Sequence, residues 1–207
     1  MKKKSTGLLF ITPFILFFML FWLIPFIYGI VMSLSKYSLI IGNQGFVGFS
    51  NYIKILVGDS MYHNSFLLGL KNTVIFTACT TPFLVLGSLG LALLLDRLPD
   101  KCKGIFRTIY FASYSVSVTA VAAVFVWLMK GNGGYLNNLM MNIGIIKKAV
   151  PWMEQQPFVW VSLTVATVWW TIGYNMMLFV NALNEIDPQL YEASAIDGAR
   201  YWKQFRY

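Results

Sequence analysis

The sequence predicts an all-α polytopic membrane protein, and three observations carry that prediction. Of its 207 residues, 57% are hydrophobic and only 12% charged, which leaves too little charge to cover a soluble globule of this length. Its uncharged stretches repeatedly exceed the ~20 helical residues needed to cross a bilayer core. The sixteen Lys and Arg residues, which give a formal net charge of +8, are gathered in short clusters between those stretches. They do not line one face with interleaved aromatics, so the footprint of a nucleic-acid binder is missing. Orientation in a bilayer is the better use for them.

Residues 5–35 contain no charge, and Gly7 to about Leu34 is long enough to span with tilt. Lys2-Lys3-Lys4 ahead of an apolar run also suits a signal peptide. The run is far longer than a typical apolar region of about 7–15 residues and no small-x-small cleavage site follows, so it reads as an uncleaved anchor. Pro13 and Pro25 are expected to bend it. From Lys36 to Lys71 the composition turns polar, with Gly42-Asn43, Gly45, Gly48, Asn51, Gly58-Asp59 and His63-Asn64, a loop expected outside the cell. His63 has no nearby cysteine or acidic cluster and reads as a solvated loop residue.

Asn72 to Leu95 forms the second uncharged run, broken near its middle by Pro82. Asp96 to Arg107 is a short, mostly basic connection, and Thr108 to Met129 is the third run. Lys130 to Glu154 is a second turn-rich loop, marked by Gly131-Asn-Gly-Gly134 and Asn137-Asn138. Residues 155–184 make the fourth run and carry Trp160, Trp169, Trp170, Tyr174, Asn175 and Asn181. Cys79 falls in a span and Cys102 in the loop after it, roughly 30 Å apart if the chain between them is helical. Both read as plain thiols.

Lys and Arg are distributed unequally between the two sides. Ten (Lys2, Lys3, Lys4, Arg97, Lys101, Lys103, Arg107, Arg200, Lys203 and Arg206) fall in the N-terminus, the short second connection and the tail, against six in the two longer loops. The positive-inside bias therefore predicts both termini in the cytoplasm, in agreement with four spans.

The sequence lacks a Walker lysine loop, a Cys/His metal spacing, a Ser-His-Asp set and a carboxylate pair within a span. No catalytic residue, metal ligand or cofactor is expected, and any ATP must be hydrolysed on another chain. A proton or ion relay inside the spans is missing too. What the spans offer is aromatic faces with hydroxyl and amide groups, the chemistry that a neutral, hydroxyl-rich solute requires. Tyr114, Ser117, Trp169, Trp170, Tyr174 and Asn175 are the candidates. The same residue types also anchor spans at lipid interfaces and bond between helices.

After the fourth run comes Asp187-Pro-Gln-Leu-Tyr-Glu-Ala-Ser-Ala-Ile-Asp-Gly-Ala-Arg-Tyr-Trp202. Asp187 can cap the first N–H groups of a helix and Pro188 suits its first position. Ala193, Ser194, Ala195, Gly198 and Ala199 give that helix a surface with little bulk, and Glu192 and Asp197 add charge. Another protein's backbone can approach such a surface closely; an amphipathic helix lying on the membrane is the other reading of the octapeptide.

Glu192-Ala193-Ser194-Ala195-Ile196-Asp197-Gly198-Ala199 resembles the EAA loop of permease subunits of binding-protein-dependent ABC importers, in the carbohydrate-uptake branch. Glu192, Ala193 and Gly198 match that motif, whereas Ser194 stands where a second alanine is usual. Phe46-Val-Gly-Phe-Ser-Asn-Tyr52 is similar to the family's FVGLxNY phrase, Asn72-Thr73-Val-Ile-Phe-Thr77 to its NTxxFT opening, and Gly133 to Leu139 to its GxLN loop. Tyr110 to Ser117 resembles a phrase that, with a proline near Ser117, opens a pathway-lining helix; the proline is missing here, so a differently shaped helix start is expected.

The resemblance implies a multi-pass cell-membrane subunit with an N-terminal anchor and extracytoplasmic loop at 1–71 and a core permease domain at 72–207. It implies that Glu192, Ala193, Ser194, Ala195, Asp197 and Gly198 form the coupling helix that docks on an ATPase subunit. Tyr114 matches a position that faces the sugar, ahead of Ser117, Trp170, Tyr174 and Asn175. The implied partners are ABC ATPase subunits, a second homologous permease, an extracytoplasmic solute-binding protein and a sugar or oligosaccharide. The family continues with an Ile-x-Leu-Pro phrase and two more spans, so the end at Tyr207 reads as a C-terminal truncation, with four spans of an expected six. A self-contained four-span protein, such as a small exporter or an assembly factor without an ATPase, is the alternative. A membrane-embedded enzyme has fewer residues to recommend it.

Overall fold

In the computed structural model of the chain, residues 3–58 and 60–198 are described. Met1, Lys2, Asp59 and the tail from Ala199 lie outside them, and with the tail go Arg200, Lys203, Arg206 and the last residues of the expected docking stretch. The described backbone is helical apart from one hairpin and the connecting loops, and it divides into two compact units at Lys71 and Asn72.

In the first unit, α1 (Lys3–Phe18) and α2 (Ile24–Ser33) are joined by a π-helical turn, Met19–Leu23. The turn sits just ahead of Pro25, whose missing N–H frees a carbonyl, and the widened ring lets the Ile24 N–H reach the Met19 carbonyl instead. Leu9–Ser33 continues through Pro13 and Pro25 as one long apolar stretch, with none of its hydrophobic window buried. The outer loop is more ordered than its composition suggests. Strands β1 (Ser35–Ser38) and β2 (Gly42–Phe46) pair antiparallel with a bulge, turned by Gly42 at φ 80°, and α3 (Ser50–Leu56) follows. Asn51 Nδ2 donates to the carbonyls of Ser33 and Ser35 at 2.8 and 3.0 Å, so the Phe46–Tyr52 phrase pins the loop to the end of the first span. His63 is no solvated loop residue. It lies half-buried in the first turn of the next helix, with Nδ1 2.8 Å from the Ile55 carbonyl.

Helix α4 (Met61–Asp96) begins well ahead of the expected Asn72, because Ser60 Oγ accepts the His63 N–H and the polar residues that follow do not break a helix. It continues through Pro82. In the second unit come α5 (Asp100–Ala112) with a 3₁₀ turn at Ser113–Ser115, α6 (Val118–Leu128), α7 (Tyr135–Asn142), α8 (Phe158–Asn184) and α9 (Pro188–Ile196). The third expected run is therefore not one straight span: Asp100–Ser115 and Val118–Leu128 meet at 88°. Val116 is extended at the break, Ser117 Oγ accepts the Ala120 N–H at 3.3 Å to open α6, and Trp170 Nε1 donates to the Val116 carbonyl at 3.0 Å. Three described helices, Leu9–Ser33, Met61–Asp96 and Phe158–Asn184, are long and apolar enough to cross a membrane, and the bent pair makes a fourth if it counts as one span.

Packing in the second unit follows membrane rules, in which small residues let helices approach and hydroxyls bond across them. Ala92 and Leu95 of α4 meet Met176 and Val180 of α8 in its buried core. Thr80 Oγ1 and Thr164 Oγ1 of these helices lie 3.3 Å apart in a buried pair. Gly173 admits α5 so closely that a Cβ there would collide with the Tyr110 carbonyl. In the loop expected to be mere turns, Asn137 on α7 is fully buried. Its Nδ2 donates to the carbonyls of Gly131 and Val150 at 2.8 and 2.9 Å, and its Oδ1 accepts Val150 N–H at 3.1 Å and Trp152 Nε1–H at 2.9 Å.

Candidate functional site

Two places in the second unit gather the residues that the sequence singled out. The first is aromatic. The 3₁₀ turn that ends α5 carries Tyr114, while Trp170 and Tyr174, one helical turn apart, share a face of α8. Tyr114 stacks on both, with ring centroids 5.8 Å from Trp170 and 4.8 Å from Tyr174 and interplanar angles of 26° and 20°. Such pairs are each worth about 0.5–1.5 kcal/mol beyond area burial. The cluster is held at its back. Ser113 Oγ bonds the Tyr110 carbonyl at 3.0 Å, and the Trp170 indole N–H is spent on Val116, so Trp170 offers a ring face and no donor. Tyr114 and Tyr174 keep about two-fifths of their surface exposed, at 39% and 40%.

Other pathway candidates are placed elsewhere or are spent locally. Ser117 caps α6, and Asn175 Nδ2 donates to the Thr171 carbonyl of its own helix at 3.0 Å. Trp169 points away from the stack. It packs against Phe125 and lines an apolar cavity of about 820 Å³ with Ile75, Cys79, Phe83 and Trp160.

The second place is α9. Asp187 Oδ1 accepts the Gln189 N–H at 2.9 Å, the Asp187 carbonyl accepts the Leu190 N–H at 3.0 Å, and Pro188 takes the first helical position, so the helix starts where the cap residues direct. Gly198, at φ +73°, supplies the left-handed turn after it. Glu192, Ala193, Asp197 and Gly198 are exposed, as are Leu190 at 64% and Ile196 at 87%; Ser194 is half-buried and turns its hydroxyl back to the Tyr191 carbonyl at 2.8 Å. The serine therefore keeps the compactness of alanine and exposes little extra polarity. Tyr191 and Glu192 border a cavity of about 420 Å³ with Asp96, Leu183, Asn184 and Ile186, which sets the base of α9 beside the ends of α4 and α8. Two participants were invisible in sequence. Tyr110 acts through its backbone carbonyl, and Asn137 was one asparagine among several in a turn-rich loop.

Apolar helices long enough to cross a membrane, a small-residue helix interface in the second unit and a short capped helix after the last long one define a helical membrane protein. The chain belongs to the binding-protein-dependent transport system inner membrane component family, whose model matches residues 6–207. It is 31% identical over 205 residues to the "Probable ABC transporter permease protein YurN" of Bacillus subtilis (strain 168), covering 99% of this chain and 68% of that protein. It is likewise 31% identical to the "Lactose transport system permease protein LacF" of Rhizobium radiobacter, over 97% of this chain and 65% of that one. Among solved structures, a chain of a bacterial ABC transporter involved in import of the acidic polysaccharide alginate superposes with a TM-score of 0.77 at 24% identity, over 98% of this chain and 66% of its own length. The chain thus spans about two thirds of the length of the proteins it matches.

Proposed function

We propose that this chain is a membrane-spanning subunit of an ATP-driven importer, that it forms part of the path of a sugar or related solute, and that it couples to an ATPase subunit through residues 187–202. The observation that carries the reading is α9: a short, well-capped helix with an exposed small-residue surface, directly after an apolar helix long enough to cross a membrane. The family match supports it, as do relatives named for sugar transport. ATPase subunits, a second homologous permease and an extracytoplasmic solute-binding protein are the partners that such a subunit requires. The bias of Lys and Arg favours both termini in the cytoplasm, the side on which α9 would meet an ATPase. Within this reading, Tyr114, Trp170 and Tyr174 present the ring faces on which C–H surfaces of a sugar stack, while Ser117 and Asn175 shape the helices around them.

Copurification tests the docking assignment. Ala193→Arg places a long cation on the exposed face of α9, where the backbone is ordinary helix, and Gly198→Asp adds a charge at the turn after it. Each is expected to lower recovery of the co-expressed ATPase subunit at least tenfold, with unchanged yield of the membrane chain. Full recovery with both variants would remove the docking role from α9.

A further inference from the structure

Beneath α9 lies an unexplained charge. Arg107 of α5 is half-buried, and its Nε is buried without a hydrogen-bond partner. Its side chain lines a void of about 10 Å³, enclosed otherwise by Ala92, Leu95 and Asp96 at the end of α4 and by Val180, Leu183 and Asn184 at the end of α8. That is room for about one water molecule. Helix α4 ends at Asp96 and α8 at Asn184, so two carboxyl termini, each with roughly half a negative charge, converge on this void. Asp96 adds a full negative charge at the unfavourable end of its own helix. Arg107 is the cation among the residues lining the void. Lys103, one turn earlier on α5, is engaged with Asp100 at 3.2 Å. Asp96 itself is exposed, so the part of the arrangement that burial makes costly is the guanidinium N–H left without a partner.

We propose that Arg107 is a positioning residue: its guanidinium, facing Asp96 across the void through one water, locks the carboxyl ends of α4 and α8 to α5 and so holds the base from which α9 springs. Asn184 is three residues from Asp187, the cap of α9, and Asp96 borders the same cavity as Tyr191 and Glu192. At its other end α5 carries Tyr110, against which Gly173 packs, and leads into Tyr114 of the aromatic stack. One helix therefore connects the base of the docking element to the aromatic cluster. The coupling role, though not the local lock, rests on the docking function proposed for α9.

The test compares the full chain, assembled with its ATPase in lipid nanodiscs, as wild type, Arg107→Gln, Arg107→Lys, Asp96→Asn and the exchange Asp96→Arg/Arg107→Asp. Amide exchange over 95–98 and 183–187 should accelerate about tenfold in Arg107→Gln and Asp96→Asn, and less in Arg107→Lys, with Leu9–Ser33 unchanged. ATP turnover should fall at least fivefold in Arg107→Gln although the ATPase still copurifies, and the exchange should restore at least half of it. Should Arg107→Gln not fold, Arg107→Lys and Asp96→Asn carry the same comparison. Wild-type exchange rates at both helix ends, or no recovery in the exchange variant, would overturn the lock. A wild-type chain that fails to hold the ATPase would sink the docking function instead, and the amide-exchange comparison on the chain alone would still judge Arg107.

Discussion

Gly173 and Asn137 set the tolerance of the second unit to change. At Gly173 there is no space between α8 and the Tyr110 carbonyl, so Gly173→Ala must push two helices apart and is expected to cost about 1–3 kcal/mol. A lowered unfolding midpoint in detergent, together with reduced stacking fluorescence from Trp170, would record it. Asn137→Ala strands Val150, Gly131 and Trp152 groups inside the fold and should cost on the order of 3 kcal/mol, whereas the exposed Asn138→Ala should stay within about 0.5 kcal/mol. Equal melting curves for the two asparagine variants would refute the hub. Neither position was legible in the sequence beforehand. A glycine within an apolar helix and an asparagine in a glycine-rich loop have many ordinary uses, and what sets these two apart is the identity of the backbone facing them, which depends on distant parts of the chain.

At the scale of elements, the local chemistry that the sequence could express was read correctly and the non-local part was not. Helix α9 begins at its cap and proline because both act within three residues. Spans α1–α2 and α8 were visible from length and hydropathy alone. The start of α4 was missed because a change from apolar to polar composition does not end a helix, and α7 and the hairpin were missed inside loops that were judged by composition. The break between α5 and α6 was foreshadowed at Ser117, but its 88° angle was not, and Trp170, 54 residues on, reaches across to bond the Val116 carbonyl there. Trp170→Phe keeps the ring and removes that donor, so it should loosen the bend with little effect on stacking. Tyr114→Ala removes the central ring and, if the stack contacts solute, should weaken uptake by roughly fivefold for a stacking loss of about 1 kcal/mol. Uptake of labelled sugars and oligosaccharides by the assembled transporter separates the two variants; unchanged uptake with Tyr114→Ala would take the cluster off the solute path.

For the molecule as a whole, membership of the importer permease family and the placement of α9 after a membrane-length helix point to one division of labour. In the proposed function this chain supplies helices, a path and a docking surface, and a partner supplies ATP hydrolysis. Both sequence cues to that proposal, the missing nucleotide loop and the small-residue phrase at 192–198, are local patterns and so can be seen without the fold. Which way the helices face the membrane depends on charges at several ends at once, some outside the described residues, and it is best measured along with docking. With Cys79→Ser and Cys102→Ser as background, Ala193→Cys places one thiol on the exposed face of α9. The decisive measurement is site-directed cross-linking of that thiol in assembled membranes. The account predicts an adduct with the ATPase subunit and labelling by an impermeant maleimide only from the cytoplasmic side. Labelling from the outside, or no adduct when the ATPase is present in the purified complex, would contradict it.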